Sequence, residues 1–310
     1  MTPWVLRRLG QMVLVLLGVV TLAFFMSYAV PGDPARLIAG PNADAATVAS
    51  IRHQLGLDAS LWSQYTGFLG RLARGDLGTS YALHGAPVSE QLALALPTSA
   101  LIAVGGVLWQ VVIGVPAGII AAYRPGRAAD RIATLGALVG LSAPPFWVGL
   151  LLIYYLAYRL SIFPLTGLGD PMWWYLALPT FTLGLAGAAW YARMTRTQMI
   201  EVLRTPYIQL ARAKGLRERT ILLRHALRNV LTPLITMIGM DFGYFLGGVL
   251  IIESVFGLPG VGKLTYDAID QLDIPMITGA VLCAAFFVVV MNFLVDLAYA
   301  AIDPRVRNRR

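Results

Sequence analysis

Six stretches of the chain, 9–30, 97–123, 132–158, 173–194, 230–253 and 276–301, are each apolar over about twenty residues or more. That is the length a helix needs to cross the hydrocarbon core of a bilayer. No other feature constrains the fold as strongly. In lipid a crossing segment must satisfy its own backbone N–H and C=O groups, so each run is expected to be a helix. Composition agrees: 57% of the 310 residues are hydrophobic and 13% are charged, where a soluble domain carries about a quarter charged residues. The expected fold is an all-α integral membrane domain over 1–310 with six transmembrane helices. Gly114, Pro116, Pro144, Pro145 and Pro179 lie inside the runs. They do not argue against spans, because neighbouring helices can satisfy freed backbone groups and small residues permit close packing. Cys283 is the one cysteine, which excludes a disulfide framework or thiolate metal cluster within the chain.

The net charge is +8. In a soluble protein it would suggest nucleic acid; here basic cytoplasmic loops account for it, and no nucleic-acid partner is expected. With the N-terminus inside, cytoplasmic segments hold 18 of the 24 Lys and Arg residues. They are Arg7 and Arg8, then Arg124, Arg127 and Arg131, nine residues from Arg193 to Arg228, and Arg305, Arg307, Arg309 and Arg310 in the tail. This asymmetry places both termini in the cytoplasm. The first run follows Arg7 and Arg8 like a secretory leader. It is about 20 residues long and ends in Pro31-Gly32-Asp33-Pro34, a poor cleavage site, so it reads as a retained signal-anchor helix.

Residues 31–96 then form a large external segment of short helices. One is expected to start at Asp44 and stop at Gly56. Another carries a helical stripe of Leu61, Trp62, Tyr65, Phe68, Leu69 and Leu72. A helical cap on the membrane rim and a docking platform at the pathway entrance are compatible readings of it. Residues 257–265, G-L-P-G-V-G-K-L-T, have the spacing of a phosphate-binding loop at Gly257, Gly262 and Lys263. Leu264 stands where Ser or Thr would hold Mg²⁺, and the stretch falls outside, away from any ATP pool. It reads as a Gly-rich external turn.

The most informative stretch is R-T-P-Y-I-Q-L-A-R-A-K-G-L-R-E-R-T-I-L-L-R-H-A-L-R-N-V-L-T-P-L, 204–234. It lies between spans four and five, within a cytoplasmic segment 195–229, and is too polar to cross lipid. Thr205 is a good N-cap and Pro206 suits the first helical position. A short helix 206–214 is expected to end at Gly215 in a left-handed turn, and a second to begin near Glu218 and run toward Pro233. An amphipathic helix on anionic headgroups is one reading. The glycine break favours a compact projection that inserts into a partner.

The loop resembles the "EAA" coupling loop of ABC importer permeases in the dipeptide, oligopeptide, nickel and glutathione group. The residues that carry the likeness are Tyr207, Ile208, Ala211, Arg212, Ala213, Lys214 and Gly215, then Arg224, His225, Ala226, Leu227, Arg228, Asn229 and Pro233. Gln209 stands where the general form has Glu. P-G-D-P at Pro31, Gly32, Asp33 and Pro34 resembles the group's entrance motif. Q-L-G-L-D, R-G-D-L-G-T-S, L-S-A-P-P-F-W-V-G, F-G-L-P-G-V-G-K-L and V-D-L-A-Y-A-A-I-D-P-R-V-R are similar to later blocks. The 31–45 and 242–256 stretches look closest to glutathione or dipeptide permeases.

The resemblance implies a permease in a bacterial inner membrane, paired with a second homologous permease subunit. Two ATPase subunits would receive the coupling loops and hold ATP and Mg²⁺, this chain binding no cofactor itself. A periplasmic binding protein would deliver peptides or glutathione-like substrates for alternating access. Nickel chelates or opines are alternative cargoes of the same machine.

Asp241, Glu253 and Asp296 lie in or near spans. A carboxylate there faces a partner or a water-filled pathway. Asp241, mid-span and flanked by Gly239, Gly243 and Gly247, is either a structural acid or a pathway group for a substrate ammonium, with the glycines opening space. Glu253 and Asp296 read as structural, paired with arginines at the membrane edge. An ion-coupled secondary transporter would show repeats and a charged midplane site; no convincing repeat appears. A membrane protease would need a Ser, His or paired-Asp constellation that is absent.

Overall fold

The computed structural model describes residues 2–29, 33–40 and 43–302. Pro31, Gly32 and the four tail arginines lie outside the described residues. Apart from an isolated bridge between Thr79 and Pro87, regular structure among the described residues is helical. Helix α1 is Thr2–Ala29. Between α1 and residue 88 lie α2 (Pro34–Ala39), α3 (Ala45–Gln54) and α4 (Leu61–Leu72). Asp44 caps α3 by accepting from the Thr47 N–H at 3.0 Å. Hydrogen bonding by Thr47 also holds the Asp44 carboxyl below the usual range. Gly56 follows α3 with φ +66°, as its position predicts. The α4 stripe is split: Phe68, Leu69 and Leu72 pack on Val20 and Ala23 of α1, Tyr65 Oη lies 2.7 Å from Thr21 Oγ1, and Leu61 and Trp62 stay exposed.

Helix α5 (Val88–Tyr123) begins nine residues before the expected start at 97 and runs through Pro97 and Pro116. The expected single span 132–158 is broken. It consists of α6 (Ala128–Ser142), α7 (Pro145–Leu152) and a π-helical stretch Ile153–Arg159. The two arms are bent by 97°. Pro144 and Pro145 remove two consecutive N–H donors, and each biases the residue before it away from the α region. Ala143 and Pro144 are both extended.

Helix α8 (Met172–Leu203) overruns the expected end at 194 by nine residues, about 14 Å of helix. Four other helices, and the bent pair taken as one, are long and apolar enough to cross a bilayer. Helix α8 is long enough but less apolar. It is packed inside protein: Thr180, Thr182 and Thr195 are buried, and Thr180 and Thr182 donate to the carbonyls of Leu176 and Leu178. A helix screened from lipid by its neighbours has no need of a lipophilic surface.

Helix α9 (Pro206–Ala213) is followed by α10 (Glu218–Thr220), a π-helical stretch Ile221–Ala226 and α11 (Leu227–Leu246). The last three form one continuous helical rod. The expected run 230–253 does not hold together. The rod ends at Leu246, Gly248 takes φ +101°, and α12 (Leu250–Phe256) is a separate short helix. Helix α13 (Val261–Asp270) and α14 (Ile274–Ile302) complete the described residues. Asp273, 1% exposed, pins the start of α14 to the stretch from Ser80 to Ala82. It accepts from Ser80 Oγ and from the backbone N–H groups of Tyr81, Ala82 and Met276.

Glycine contacts fix the relative directions. A Cβ on Gly106, Gly114 or Gly118 of α5 would meet Leu183, Ala188 or Ala192 of α8, in rising order on both helices, so the two are parallel. A Cβ on Gly239, Gly243 or Gly247 of α11 would meet Val295, Val288 or Ala284 of α14, so those two are antiparallel. Helix α1 runs against α14 as well: Arg8 Nη2 lies 3.1 Å from Asp296 Oδ1 near one end, and Ala23 clusters with Leu282 toward the other.

Candidate coupling projection and buried carboxylates

Helix α9 lies beyond the end of α8 and presents two unlike faces. Thr205 is the N-cap residue, but its Oγ1 donates back to Val202 O and makes no capping bond. Pro206 occupies the first turn. Ile208 is fully buried and Ala211 nearly so. Both belong to a cluster with Met199 and Leu203 of α8 and Ile221, Ala226 and Val230 of the rod. Tyr207 is half-exposed, and its Oη accepts from Asn229 Nδ2 at 2.8 Å. Gln209, Leu210, Arg212, Ala213, Lys214, Gly215, Leu216 and Arg217 are exposed. Of the residues singled out in the sequence, Ile208, Ala211 and Ala226 therefore hold the projection to the bundle, while Tyr207, Arg212, Ala213, Lys214 and Gly215 form its surface. Arg224 is exposed and His225 half-buried on the following turn.

Gly215 has φ +74°, with nothing within 4 Å of where a Cβ would stand. It serves the turn, since an L-residue with a side chain resists that conformation. Arg212 Nε donates to Glu218 Oε1 at 2.9 Å across the turn. Nothing in the loop motif marks this pairing except the six-residue separation across the glycine.

The projection is tied to the bundle above it. Asp130 at the start of α6 is 5% exposed. It accepts from Arg196 Nε and Nη2 of α8, the latter at 2.8 Å, and from the Gly126 N–H at 2.8 Å. This two-pronged pair joins α6 to α8 just before α8 leads into the projection.

Asp241 accepts from Tyr191 Oη of α8 at 2.7 Å through Oδ2. It is half-buried, beside the exposed Met240 and Tyr244. Among the described residues Oδ1 accepts no hydrogen bond. Contrary to the expectation from the sequence, the flanking glycines do not open space around it. They form the α11–α14 seam, where a Cβ on Gly239 would lie 1.9 Å from Val295 Cγ2.

Glu253 is wholly buried, and the arginine partner expected for it is not what the structure provides. Its carboxylate accepts from Ser99 Oγ at 2.8 Å, the Lys263 N–H at 2.9 Å and the Val249 N–H at 3.3 Å. It thereby joins α5 to the α12–α13 corner. Asp296 does find an arginine, Arg8. The 257–265 stretch wraps around Glu253: Gly257 caps α12 with φ +62°, and Gly262 and Lys263 lie inside α13. A Cβ on Gly262 would meet Leu250 N at 2.5 Å. Lys263 Nζ pairs with Asp267. The space a phosphate would need at this loop is filled by protein.

Long apolar helices and glycine-welded pairs are the features of a helical membrane protein, and here they carry an exposed basic projection at the end of α8. Residues 114–308 match the family described as binding-protein-dependent transport system inner membrane component, and residues 1–93 match its N-terminal companion. The chain belongs to that family and is the permease subunit of an ABC importer. It is 40% identical over 307 residues, covering 99% of each chain, to the glutathione transport system permease protein GsiC of Salmonella choleraesuis. The identity to GsiC of Escherichia coli K12 is 38% over the same length. Among solved structures, a chain of the inward-facing MetNI methionine ABC transporter matches with a TM-score of 0.56 at 20% identity. The match covers 68% of this chain and 96% of that one.

Proposed function

We propose that this permease crosses a bacterial inner membrane six times with both termini in the cytoplasm, and imports glutathione, dipeptides or similar short peptides. Helix α8 is the fourth crossing and the bent α6–α7 unit the third. The segment 31–96 is external, with Asp33 and Pro34 near its start, and 195–229 is cytoplasmic. Parallel α5 and α8, with α11 and α1 each antiparallel to α14, are the directions that a chain alternating through six crossings must show. The orientation rests on the Lys and Arg bias.

The observation that carries the mechanism is the two-faced α9. Its buried side is packed onto α8 and the α11 rod; its other side and the turn after it offer Tyr207, Arg212, Ala213, Lys214 and Gly215 for an ATPase groove, with Arg224 of the neighbouring rod beside them. Ile208, Ala211 and His225 support that surface. Two ATPase subunits bind ATP and Mg²⁺, and their closure moves α9. A second, homologous permease subunit completes the pathway, and a periplasmic binding protein supplies the cargo. Asp241, on the exposed side of α11, meets the substrate ammonium. This chain performs no ATP chemistry.

The test is reconstitution of the chain with its partner subunits in liposomes, with ATP on the projection side and binding protein with labelled glutathione or dipeptide on the other. Uptake is expected only when both are present. Uptake without ATPase subunits, or with ATP on the opposite side only, would overturn the reading.

A further inference from the structure

Between α1, the α2–α3 pair, α4 and the start of α14 lies a half-open cavity of about 800 Å³, within the range of small-molecule sites. Its apolar wall includes Phe24, Phe68, Leu77 and Ile274. Two opposite charges in its lining cancel: Arg52 pairs with Asp33. Two others do not. Arg71, at the end of α4, makes no ion pair or side-chain hydrogen bond among the described residues. Asp76 uses Oδ1 to accept from the Gly78 N–H at 2.8 Å, and Oδ2 has no partner among the described residues. The backbone bond from Asp76 N to Arg71 O, 3.0 Å, holds their main chains together, yet the side chains do not bridge each other.

From this juxtaposition we infer that the cavity binds a short zwitterionic peptide, Arg71 taking its carboxylate and Asp76 its ammonium. A guanidinium presents paired donors that match a carboxylate. A carboxylate oxygen with no protein donor is a ready acceptor for an ammonium. The apolar wall accommodates the peptide's side chains. The inference rests on the external orientation and peptide-import reading proposed above, and adds a recognition site on the permease itself, away from Asp241.

The experiment uses the assembled transporter in nanodiscs of phosphatidylcholine and phosphatidylglycerol, without binding protein. Equilibrium dialysis measures four probes: glutathione, the dipeptide Ala-Phe, its C-terminal amide and its N-acetyl derivative. Arg71→Gln is expected to weaken the free dipeptide about tenfold or more while barely changing the amide. Asp76→Asn is expected to do the same for the free amine while sparing the acetylated probe. Both side chains are exposed, and an unchanged thermal melt verifies folding of the variants. If either variant weakens all probes equally or none, the assignment is wrong. If phosphatidylethanolamine, whose headgroup has the same two charges, abolishes peptide binding when added to the discs, the cavity is a lipid site and the inference also falls. Failure here alongside ATP-driven, binding-protein-dependent uptake by the native complex would sink the cavity and leave the import reading standing. Charge-specific binding without such uptake would do the reverse.

Discussion

Replacing Gly215 with valine tests the coupling projection where its geometry is most demanding. Because nothing lies within 4 Å of a Cβ at this position, the substitution creates no clash, and its whole cost is conformational. Holding an L-residue in the left-handed region costs about 1–2 kcal/mol, with a β-branched residue at the upper end. Since about 1.4 kcal/mol is a factor of ten, the turn's population falls about 5- to 30-fold relative to relaxed alternatives. The rest of the projection keeps its anchors, because Ile208 remains buried and Tyr207 remains bonded to Asn229. The chain should therefore insert and assemble, with the tip from Ala213 to Glu218 in the wrong shape and the Arg212–Glu218 pair lost. The assay is the ratio of substrate imported to ATP hydrolysed in proteoliposomes. The expected result is a fall of about tenfold in that ratio with basal hydrolysis retained, and near-normal coupling in Gly215→Asn, because asparagine tolerates the left-handed region. A valine variant that is correctly inserted and couples as well as the asparagine variant would refute the reasoning.

Gly239→Ala places a methyl 1.9 Å from Val295 Cγ2; it should lower the melting temperature in detergent, and Val295→Ala should restore most of the loss. Additive losses in the double variant would show that the seam is not where the damage arises. Glu253→Ala would leave Ser99 Oγ and two backbone N–H groups without their acceptor, at about 1–3 kcal/mol each, so folded yield should fall sharply; normal yield and melting would contradict the role given to Glu253. Asp241→Asn keeps an acceptor for Tyr191 but removes the charge. The KM for free-amine peptides should rise with little change for N-acetylated ones, and unchanged transport of both would remove Asp241 from the pathway.

What the sequence disclosed best was local backbone chemistry. Asp44 and Gly56 bracket α3 as expected, and Pro206 and Gly215 bracket the projection, because each residue type dictates a conformation at its own position. What it disclosed worst was where apolar runs break. Pro144-Pro145 is compatible with a straight span and with a right-angled elbow, and neighbouring packing decides between them. The same holds for Gly247-Gly248, where hydropathy continues unbroken from α11 into α12. The stripe of Gly239, Gly243 and Gly247 reads in the sequence as open space beside Asp241, but a sequence cannot say whether a helix or a ligand fills that space, and here α14 does. Glu253 drew an expectation of an arginine because its donors, two backbone amides and a hydroxyl 154 residues away, carry no signature of their own.

The same packing decides how movement at α9 would spread. Ile208 and Ala211 are seated against Met199 and Leu203, so a displaced α9 carries the end of α8 with it. Helix α8 cannot slide alone, because carbonyls of Ala188 and Ala192 lie where Gly114 and Gly118 of α5 have no side chain. In lipid such glycine contacts gain from close van der Waals packing that larger residues would forbid. Arg196 adds α6 to the unit through Asp130. The elbow at Pro144 and the break at Gly248 are then the points where this block can turn against the rest, since both lack the continuous helical hydrogen bonding that stiffens a rod. If α9 receives the force as proposed, these contacts between helices would carry it to the middle of the bundle, and bending would be expected first at two interruptions in apolar runs that hydropathy alone presents as continuous.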